Sequence, residues 1–548
     1  MPEKFSITST TLNFFSDKKG YILLYLLLSF SYPLGNILVP HYYGKLIEEM
    51  VAKKDIRGTF LLTVALWIVS VFGINGMTKI DGKIIPEFRS HLYTKIAEFV
   101  FNVYKENYSA VKGGELISKL SKLPYLILEM FYQIRTSYLP LIYMIIFSLI
   151  YFVSINPKLG ALVLCFIIMS GVIAYWSWAS CVSCCTNSES DSDKTNEDLQ
   201  DILDNILNVY TSNNIENEMK EFVSKNEVNQ KHFKNCLKCS SKFKFLFSAI
   251  NITSFCAVAM YMYKLFRQEE IKLSQINSAF IVMIYLLSQM DSTLQYFQET
   301  ITYVGSIIDI QNYIDDMNKN SQEFEEKIAK YNSNLHEGFL DKITGRIEFK
   351  DINICFDKNC ILKDFSYTIE PGDRIAVVGP VGKGKSSLLK MILKLVYPTD
   401  GQVLIDGMNL PYNVVRNFVS YIPQAPLLFN RTLYENITYG LSNVSKEQVM
   451  ALMQKYELEN IFGGVKLDDN VGKNGSVLSG GQKQMVILLR AILRDTPIIL
   501  MDEGTTALDN KVRDKVIKLL FDQPKTKTIV VITHDHDILP HFQKVMKL

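Results

Sequence analysis

The sequence has almost no surplus of either charge: 58 Lys and Arg stand against 56 Asp and Glu, a formal net charge of +2 over 548 residues. A chain this balanced carries no overall basic excess for a phosphate backbone, so nucleic acid is not expected as a partner. An ordered cysteine pattern is missing too. The nine cysteines are spaced irregularly, which argues against the disulfide framework of a small secreted domain. The first twenty residues are polar, hold Lys18 and Lys19 before the first apolar run, and lack the small-residue exit of a cleavable signal peptide. What the chain has in quantity is apolar side chain. Hydrophobic residues make up 48% and the mean hydropathy is +0.10 although 21% of residues are charged. The length exceeds one ordinary domain, so an apolar membrane part joined to a water-soluble part is expected.

Six apolar runs, at residues 21–40, 60–77, 138–153, 159–178, 245–263 and 276–290, approach the roughly 20 residues that cross a bilayer as a helix. Six in series rarely occur in a soluble fold. Pro33 and Pro140 are expected to bend or start their helices. The connections alternate between brief ones (155–158, 266–275) and the long segments 78–137 and 179–244, which are polar but helical in pattern. Helix pairs projecting far from the membrane on one side only would give this alternation. Beyond a charged, amide-rich exit near 315–334, strand-like runs alternate with helices, the pattern of one α/β domain.

In that domain the strand Arg374-Ile375-Ala376-Val377-Val378 leads into Gly379-Pro380-Val381-Gly382-Lys383-Gly384-Lys385-Ser386-Ser387. A glycine-rich loop between strand and helix is a phosphate cradle. Its backbone N–H groups curl around the phosphates, Lys385 neutralises β/γ oxygens, Ser386 offers a hydroxyl to Mg²⁺, and the helix N-terminus adds positive potential. A later apolar strand, Ile498-Ile499-Leu500-Met501, ends in Asp502-Glu503. Buried strands deliver their functional ends at the carboxyl edge, beside the phosphate loop. Asp502 is therefore a candidate Mg²⁺ ligand, and Glu503 a candidate for polarising the attacking water.

Between these two lies Leu478-Ser479-Gly480-Gly481-Gln482, just before a helix. With this pentapeptide the chain resembles the ATP-binding cassette (ABC) transporter family. The likeness runs in register through Ile347-Glu348-Phe349, the glutamine loop Tyr421-Ile422-Pro423-Gln424, Thr506-Ala507-Leu508-Asp509 and Thr533-His534-Asp535. It implies that Ser479 and Gly481 cap the γ-phosphate held by a partner cassette, so that two ATP molecules glue a dimer with Asp509 in the dimer loop. It also implies that Gln424 touches Mg²⁺ and reports nucleotide state, and that His534 holds the γ-phosphate and the water. The adenine-stacking position, usually Tyr, falls on Phe356, whose π-face still serves the base. Val381 and Lys383 stand where small polar residues are common, and Lys473 replaces an acidic residue that many exporters carry. The last strand is expected near Lys547-Leu548, without the hairpin and helix that usually close the family's cassette.

A six-helix domain ahead of one cassette resembles the exporter branch. Weaker likenesses at 87–92, 114–120 and 199–222 place short crosswise helices near 107–111 and 208–214. Polar residues within membrane helices mark paths or pairs. Asp291, Gln295 and Glu299 recur at four-residue steps in the sixth run, and Lys79, Asp81 and Lys83 follow the second. A wet, mixed-charge cavity is expected at Asp291 and Gln295. Cys181 and Cys184, with Cys185 beside them, and Cys236 and Cys239 lie equally far along the chain from a turn at Tyr210. An antiparallel hairpin would bring them level, as a thiolate site for Zn²⁺ or another soft cation, an oxidation-responsive set, or ordinary buried cysteines.

The fold expected is an all-α six-helix transmembrane domain of exporter type (1–313), a linker (314–345), then an α/β P-loop NTPase cassette (346–548). The function expected is ATP-driven export by alternating access, using ATP and Mg²⁺. The partners expected are a second half-transporter, the lipid bilayer and an unidentified transported substrate. The alternative is a membrane-anchored ATPase that gates or signals without moving cargo.

Overall fold

The structure, a computed structural model, describes residues 5–104, 113–329, 343–356, 359–504 and 510–548. The short helix expected near 107–111 and the Thr506–Asp509 motif, Asp509 included, lie outside these residues, as does the side chain of Phe356. The chain divides into two compact units, one built from Met1–Tyr104 and Ala110–Asn320 and the other holding Ser321–Leu548.

In the first unit, α1 (Ile7–Asp17) precedes α2 (Lys19–Ser29), the short α3 (Ser31–Pro33) and α4 (Val39–Val51). There follow α5 (Arg57–Val103), α6 (Gly113–Gln133), α7 (Leu139–Ile155), α8 (Pro157–Asp204), the short α9 (Ile206–Thr211), α10 (Ile215–Arg267) and α11 (Leu273–Ala329). Six stretches are long and apolar enough to cross a membrane: Lys19–Val51, Arg57–Val103, Lys119–Ile155, Pro157–Asp204, Ile215–Arg267 and Leu273–Glu323. Each contains one of the six apolar runs. A helix of 48 residues such as α8 is about 72 Å long at the α-helical rise, more than twice the roughly 30 Å hydrocarbon core. The excess makes the long polar extensions. Asn156 starts α8, its side chain accepting from the N–H groups of Lys158 and Leu159 at 2.9 and 3.4 Å, with Pro157 at the first turn where its missing N–H costs nothing.

Pro33 and Pro140 each border a π-helical turn, Leu34–Leu38 after the first and Ile134–Tyr138 just before the second. The wider turn absorbs the hydrogen bond that a proline removes without ending the span. Small residues let the spans approach. A Cβ at Gly73 would meet Ser31 Oγ at 1.8 Å, and one at Gly44 would meet Ser278 Oγ at 1.9 Å. This is how helices pack where lipid removes the hydrophobic drive between them.

Asp81, in the second span, is held by partners from the two neighbouring spans. Its carboxylate is tied to Arg135 Nη2 at 3.0 Å and accepts from the Tyr25 hydroxyl, and the two charged side chains are 12% and 8% exposed. One ion pair thereby joins the first, second and third spans. Removing one partner strands the other charge, so Arg135→Met is expected to cost about 3–5 kcal/mol. Tyr25→Phe, which loses one hydrogen bond to a charge, should cost about 1.5–3 kcal/mol. Thermal unfolding of the purified variants in one detergent would check this order, which fails if Arg135→Met melts with the parent.

The second unit holds two sheets. Strands β1 (Ile347–Phe356), β2 (Asn359–Ile369) and β4 (Asp400–Ile405) form an antiparallel sheet in the order β2-β1-β4. Strands β3 (Arg374–Val378), β5 (Val419–Ile422), β6 (Ile498–Asp502), β7 (Thr528–Ile532) and β8 (Lys544–Lys547) form a parallel sheet in the order β5-β6-β7-β3-β8. Every residue of β6 and β7 is buried, as strands covered on both faces must be. The helices around them are α12 (Lys385–Ile392), α13 (Tyr412–Phe418), α14 (Leu433–Ile437), α15 (Lys446–Lys455), α16 (Gly480–Leu493) and α17 (Asn510–Phe521). The sheet order sets β6 next to β7 and β7 next to β3, so the carboxyl ends of all three open at one edge.

Candidate active site

The phosphate loop leaves β3 at that edge and enters α12. Gly384, at the helix N-cap, has φ +81°, a left-handed conformation that L side chains rarely adopt, and a Cβ there would sit 2.9 Å from Ile361 Cγ2. Glycine is required on both counts. Pro380, Val381, Gly382 and Lys383 are exposed, Gly379, Ser386 and Ser387 are half-buried, and Lys385 is buried. The Lys385 ammonium donates to the carbonyls of Gly379 and Pro380 at 2.9 and 3.0 Å, so the loop itself holds the charge at its mouth.

Parallel pairing carries β6 to the same edge. Ser386 Oγ donates to Asp502 Oδ1 at 3.0 Å, and the Tyr421 hydroxyl donates to the other oxygen at 3.3 Å. Burial raises the Asp502 carboxyl above its ordinary pKa and the Glu503 charge adds to this, against the lowering effect of the two hydroxyls. The chain then turns sharply. Glu503 has φ +50°, a strained setting for a non-glycine residue worth about 1–3 kcal/mol. Its N–H is anchored on the Ile532 carbonyl at 3.1 Å. Its carboxylate is held from two sides, by Gln424 Nε2 at 2.6 Å on one oxygen and His534 Nε2 at 3.2 Å on the other. Residues more than a hundred positions apart thus meet at one carboxylate. The Gln424 amide nitrogen is the atom that faces Glu503.

A serine hydroxyl and a carboxylate at 3.0 Å suit Mg²⁺, which takes oxygen ligands and binds through one or two carboxylates plus substrate phosphates. Asp502, Ser386 and Gln424 are the side chains that would hold it. Because Asp502 is raised, protonation competes with the cation earlier than at an ordinary aspartate. Affinity for Mg²⁺-nucleotide is therefore expected to fall as pH drops through that raised pKa, while Mg²⁺-free nucleotide stays bound. Fluorescent-nucleotide titrations with and without Mg²⁺ across the acid range would check it, and parallel losses would refute it.

The signature stands at the start of α16. Ser479 caps the helix: its hydroxyl accepts from the Gln482 N–H at 3.3 Å while Gln482 Oε1 accepts from the Ser479 N–H at 2.7 Å, a complete capping box. Gln482 is further pinned through Nε2 to the Ile461 carbonyl at 2.7 Å. Leu478 is buried, Gly481 half-buried, and Ser479 and Gly480 exposed. Eight buried residues, Gln484 to Leu489 with Ala491 and Ile492, anchor the helix behind this exposed end. Sequence reasoning missed Gln484, which donates to the Pro423 carbonyl at 3.3 Å and so links the signature helix to the glutamine loop. It also missed the role of Tyr421 on Asp502.

In the membrane unit, Gln295 lines a cavity of about 340 Å³ together with Ser177, Ser240, Lys244, Leu294 and Phe297. Asp291 is half-buried and is not among its lining. The cysteines come level across the α8–α10 hairpin, but as bonded pairs, Cys181–Cys239 and Cys185–Cys236, with a third pair, Cys355–Cys360, across β1 and β2. Six of the nine cysteines are paired, and Cys165, Cys184 and Cys256 are free. This corrects the metal reading: among the described residues no group of three or more His, Cys, Asp or Glu is placed to hold a metal ion. It also replaces Cys184 with Cys185. Four residues advance a helix by about 400°, which returns to the face of Cys181 more nearly than three residues do.

These parts define a P-loop ATPase cassette carried by a chain with six helices long and apolar enough to cross a membrane. Residues 362–506 match the family model described as ABC transporter. The chain is 34% identical over 205 residues to the mycobactin import ATP-binding/permease protein IrtB of Mycolicibacterium thermoresistibile, covering 36% of this chain and 35% of that one. It is 34% identical over 215 residues to the ATP-dependent lipid A-core flippase of Francisella tularensis (38% and 35%). With the mitochondrial iron-sulfur clusters transporter ATM1 of Kluyveromyces lactis it shares 32% identity over 211 residues (37% and 29%). Each alignment spans about a third of the relative's length. The fold matches a solved bacterial Atm1-family ABC exporter with ATP bound, at a TM-score of 0.74 and 19% identity over 96% of this chain and 92% of that one. The chain thus carries an ABC transporter domain and shares the fold of that solved exporter. It is a multi-pass integral membrane chain with a cytosolic cassette.

Proposed function

We propose that this chain is one half of an ATP-driven exporter, working as a dimer with two composite ATP sites. The observation that carries the reading is the Glu503 carboxylate, held by Gln424 and His534 beside the Ser386–Asp502 pair. That is the arrangement needed to orient a water for in-line attack on a γ-phosphate. Glu503 accepts the water's proton, His534 steadies the γ-phosphate, and the Lys385 ammonium balances charge building on the β/γ oxygens. Bound Mg²⁺ would add charge neutralisation at the same oxygens. The Phe356 ring would stack on adenine.

The exposed Ser479 end of α16 would close over the phosphates held by its mate. The Thr506–Asp509 loop would sit at the same dimer seam. Closing two cassettes on two ATP molecules and reopening after phosphate release is the two-state element that drives alternating access. The names of the relatives span import, flipping and iron-sulfur transport, so the cassette does not name the cargo. The polar cavity at Gln295 and Lys244 supports an anionic or amphipathic substrate.

The test is ATP-dependent flux into sealed inside-out vesicles, using compounds chosen for stimulating the ATPase in lipid. Accumulation with the parent chain and none with Glu503→Gln is expected. Stimulated hydrolysis with no flux of any hit would favour the gating alternative.

A further inference from the structure

We propose that Cys181, Cys185, Cys236 and Cys239 form a site of reversible oxidation that staples α8 to α10 and slows the transport cycle. The two pairs bring Cα atoms to 5.8 and 5.1 Å across the hairpin, within disulfide reach. The bonds run one turn apart on each helix and in crossed order: the earlier cysteine of α8 joins the later one of α10. This is the register of an antiparallel pair. A single bond between two helices is a pivot. Two bonds a turn apart remove rotation and sliding as well.

The site is enclosed. Cys181, Cys185 and Cys236 are 0%, 1% and 4% exposed, packed with Ile301 of α11 and flanked by Trp178, Phe243 and Phe297. A Cβ on Gly305 of α11 would lie 2.6 Å from Thr186 Oγ1, one residue beyond Cys185. The staple therefore clamps the fourth and fifth spans where the sixth leans on them, beside the Gln295 cavity. Lys234, Lys238, Lys242 and Lys244 are exposed on the same stretch of α10, which places this level outside the hydrocarbon. Counting spans puts the hairpin on the side where the sixth span runs on to the cassette, which is the cytosol. Paired cysteines in a reducing compartment are transient or redox-sensing.

Half-buried Cys239 is the entry point. Its thiolate attacks a small disulfide RSSR, forming Cys239–S–SR and releasing one RS⁻. The Cys181 thiolate then attacks Cys239 Sγ, forming Cys181–Cys239 and releasing the second RS⁻. Two protein thiols lose two electrons and two protons, and RSSR becomes two RSH. Cys185 and Cys236 consume a second RSSR in the same way. The oxidation chemistry stands apart from the transport reading, and only the effect on turnover rests on it.

The experiment uses the full chain in lipid with Cys355→Ser/Cys360→Ser, so that the cassette pair contributes nothing. Samples are equilibrated in glutathione buffers from fully reduced to fully oxidised, alkylated, and mapped by mass spectrometry, with ATPase measured in parallel. Peptides bearing 181 and 185 are expected to link to those bearing 236 and 239 in oxidised buffer and to separate on reduction. The ATPase rate should be several-fold lower when oxidised, and Cys181→Ser/Cys185→Ser should abolish that difference. Thiols alkylated at every buffer ratio with no linked peptides would overturn the proposal. So would stoichiometric zinc shielding the four thiols from alkylation, a rate indifferent to linkage, or a redox response surviving in the serine variant. The mapping needs no substitution at the site, so a variant that folds poorly leaves the first arm decisive.

Discussion

Replacing Glu503 with glutamine should lower ATP hydrolysis by about 10²–10⁴-fold, the usual contribution of a positioned general base, while leaving nucleotide binding intact. The amide keeps the shape that Gln424 and His534 grip at 2.6 and 3.2 Å but has no basic oxygen to accept the water's proton. Binding contacts at Lys385, Ser386 and Asp502 are untouched. A chain that binds ATP but cannot cleave it should accumulate in the closed dimer, so gel filtration with Mg²⁺-ATP should show a larger dimer fraction for the variant than for the parent. His534→Ala should be less severe, because it removes one of two supports and leaves the base in place. A Glu503→Gln chain that hydrolyses ATP within threefold of the parent would remove this residue from the chemistry.

The second large effect concerns Ser479. If the signature serves the other subunit's phosphate, as proposed, Ser479→Phe should abolish steady-state hydrolysis and leave ATP binding to the isolated chain unchanged. Part of the loss has a local origin, since the capping box with Gln482 is worth about 1 kcal/mol. A melting-temperature shift of that size is expected alongside. Complementation separates the two causes. Chains carrying Ser479→Phe are mixed with chains carrying Glu503→Gln, both inactive alone. In a mixed dimer one site collects both defects and the other has none. Mixing should therefore restore hydrolysis, up to about a quarter of the parent rate for random pairing of equal amounts. Signature and phosphate loop acting within one chain would give no recovery at all.

The phosphate loop, the Asp502-Glu503 strand end and the signature were legible because each is a short local string whose geometry follows from its own residues. Glycines set the loop's backbone, a buried apolar strand sets where a carboxylate emerges, and a serine three residues before Gln482 sets a helix start. The six spans were legible for a similar reason, since a run of apolar residues near bilayer length has few other uses. Hydrogen bonding between distant side chains is not written locally. Nothing around Gln424 or His534 announces that both reach Glu503; the resemblance to a family placed them at the nucleotide, and only the fold brings them to that carboxylate. Asp81 read only as one of three polar residues after the second run, because the sequence places it among lysines. Its partner Arg135 lies in another span, and only the packing of three helices finds it. The cysteine spacing brought the two sets level but left their pairing open for the same reason: Cys181 and Cys239 are 58 residues apart and meet only when the hairpin closes.

Taken alone, the residues determined that this chain crosses a membrane repeatedly, cradles a nucleotide phosphate and places a carboxylate beside it. Those properties depend on composition and on contacts a few positions apart. Tertiary structure decided what grips that carboxylate, which cysteine faces which, and how a buried charge in the membrane is neutralised. Each of these is set by where a side chain points once whole helices and strands have packed, and a linear string carries that direction only through the fold.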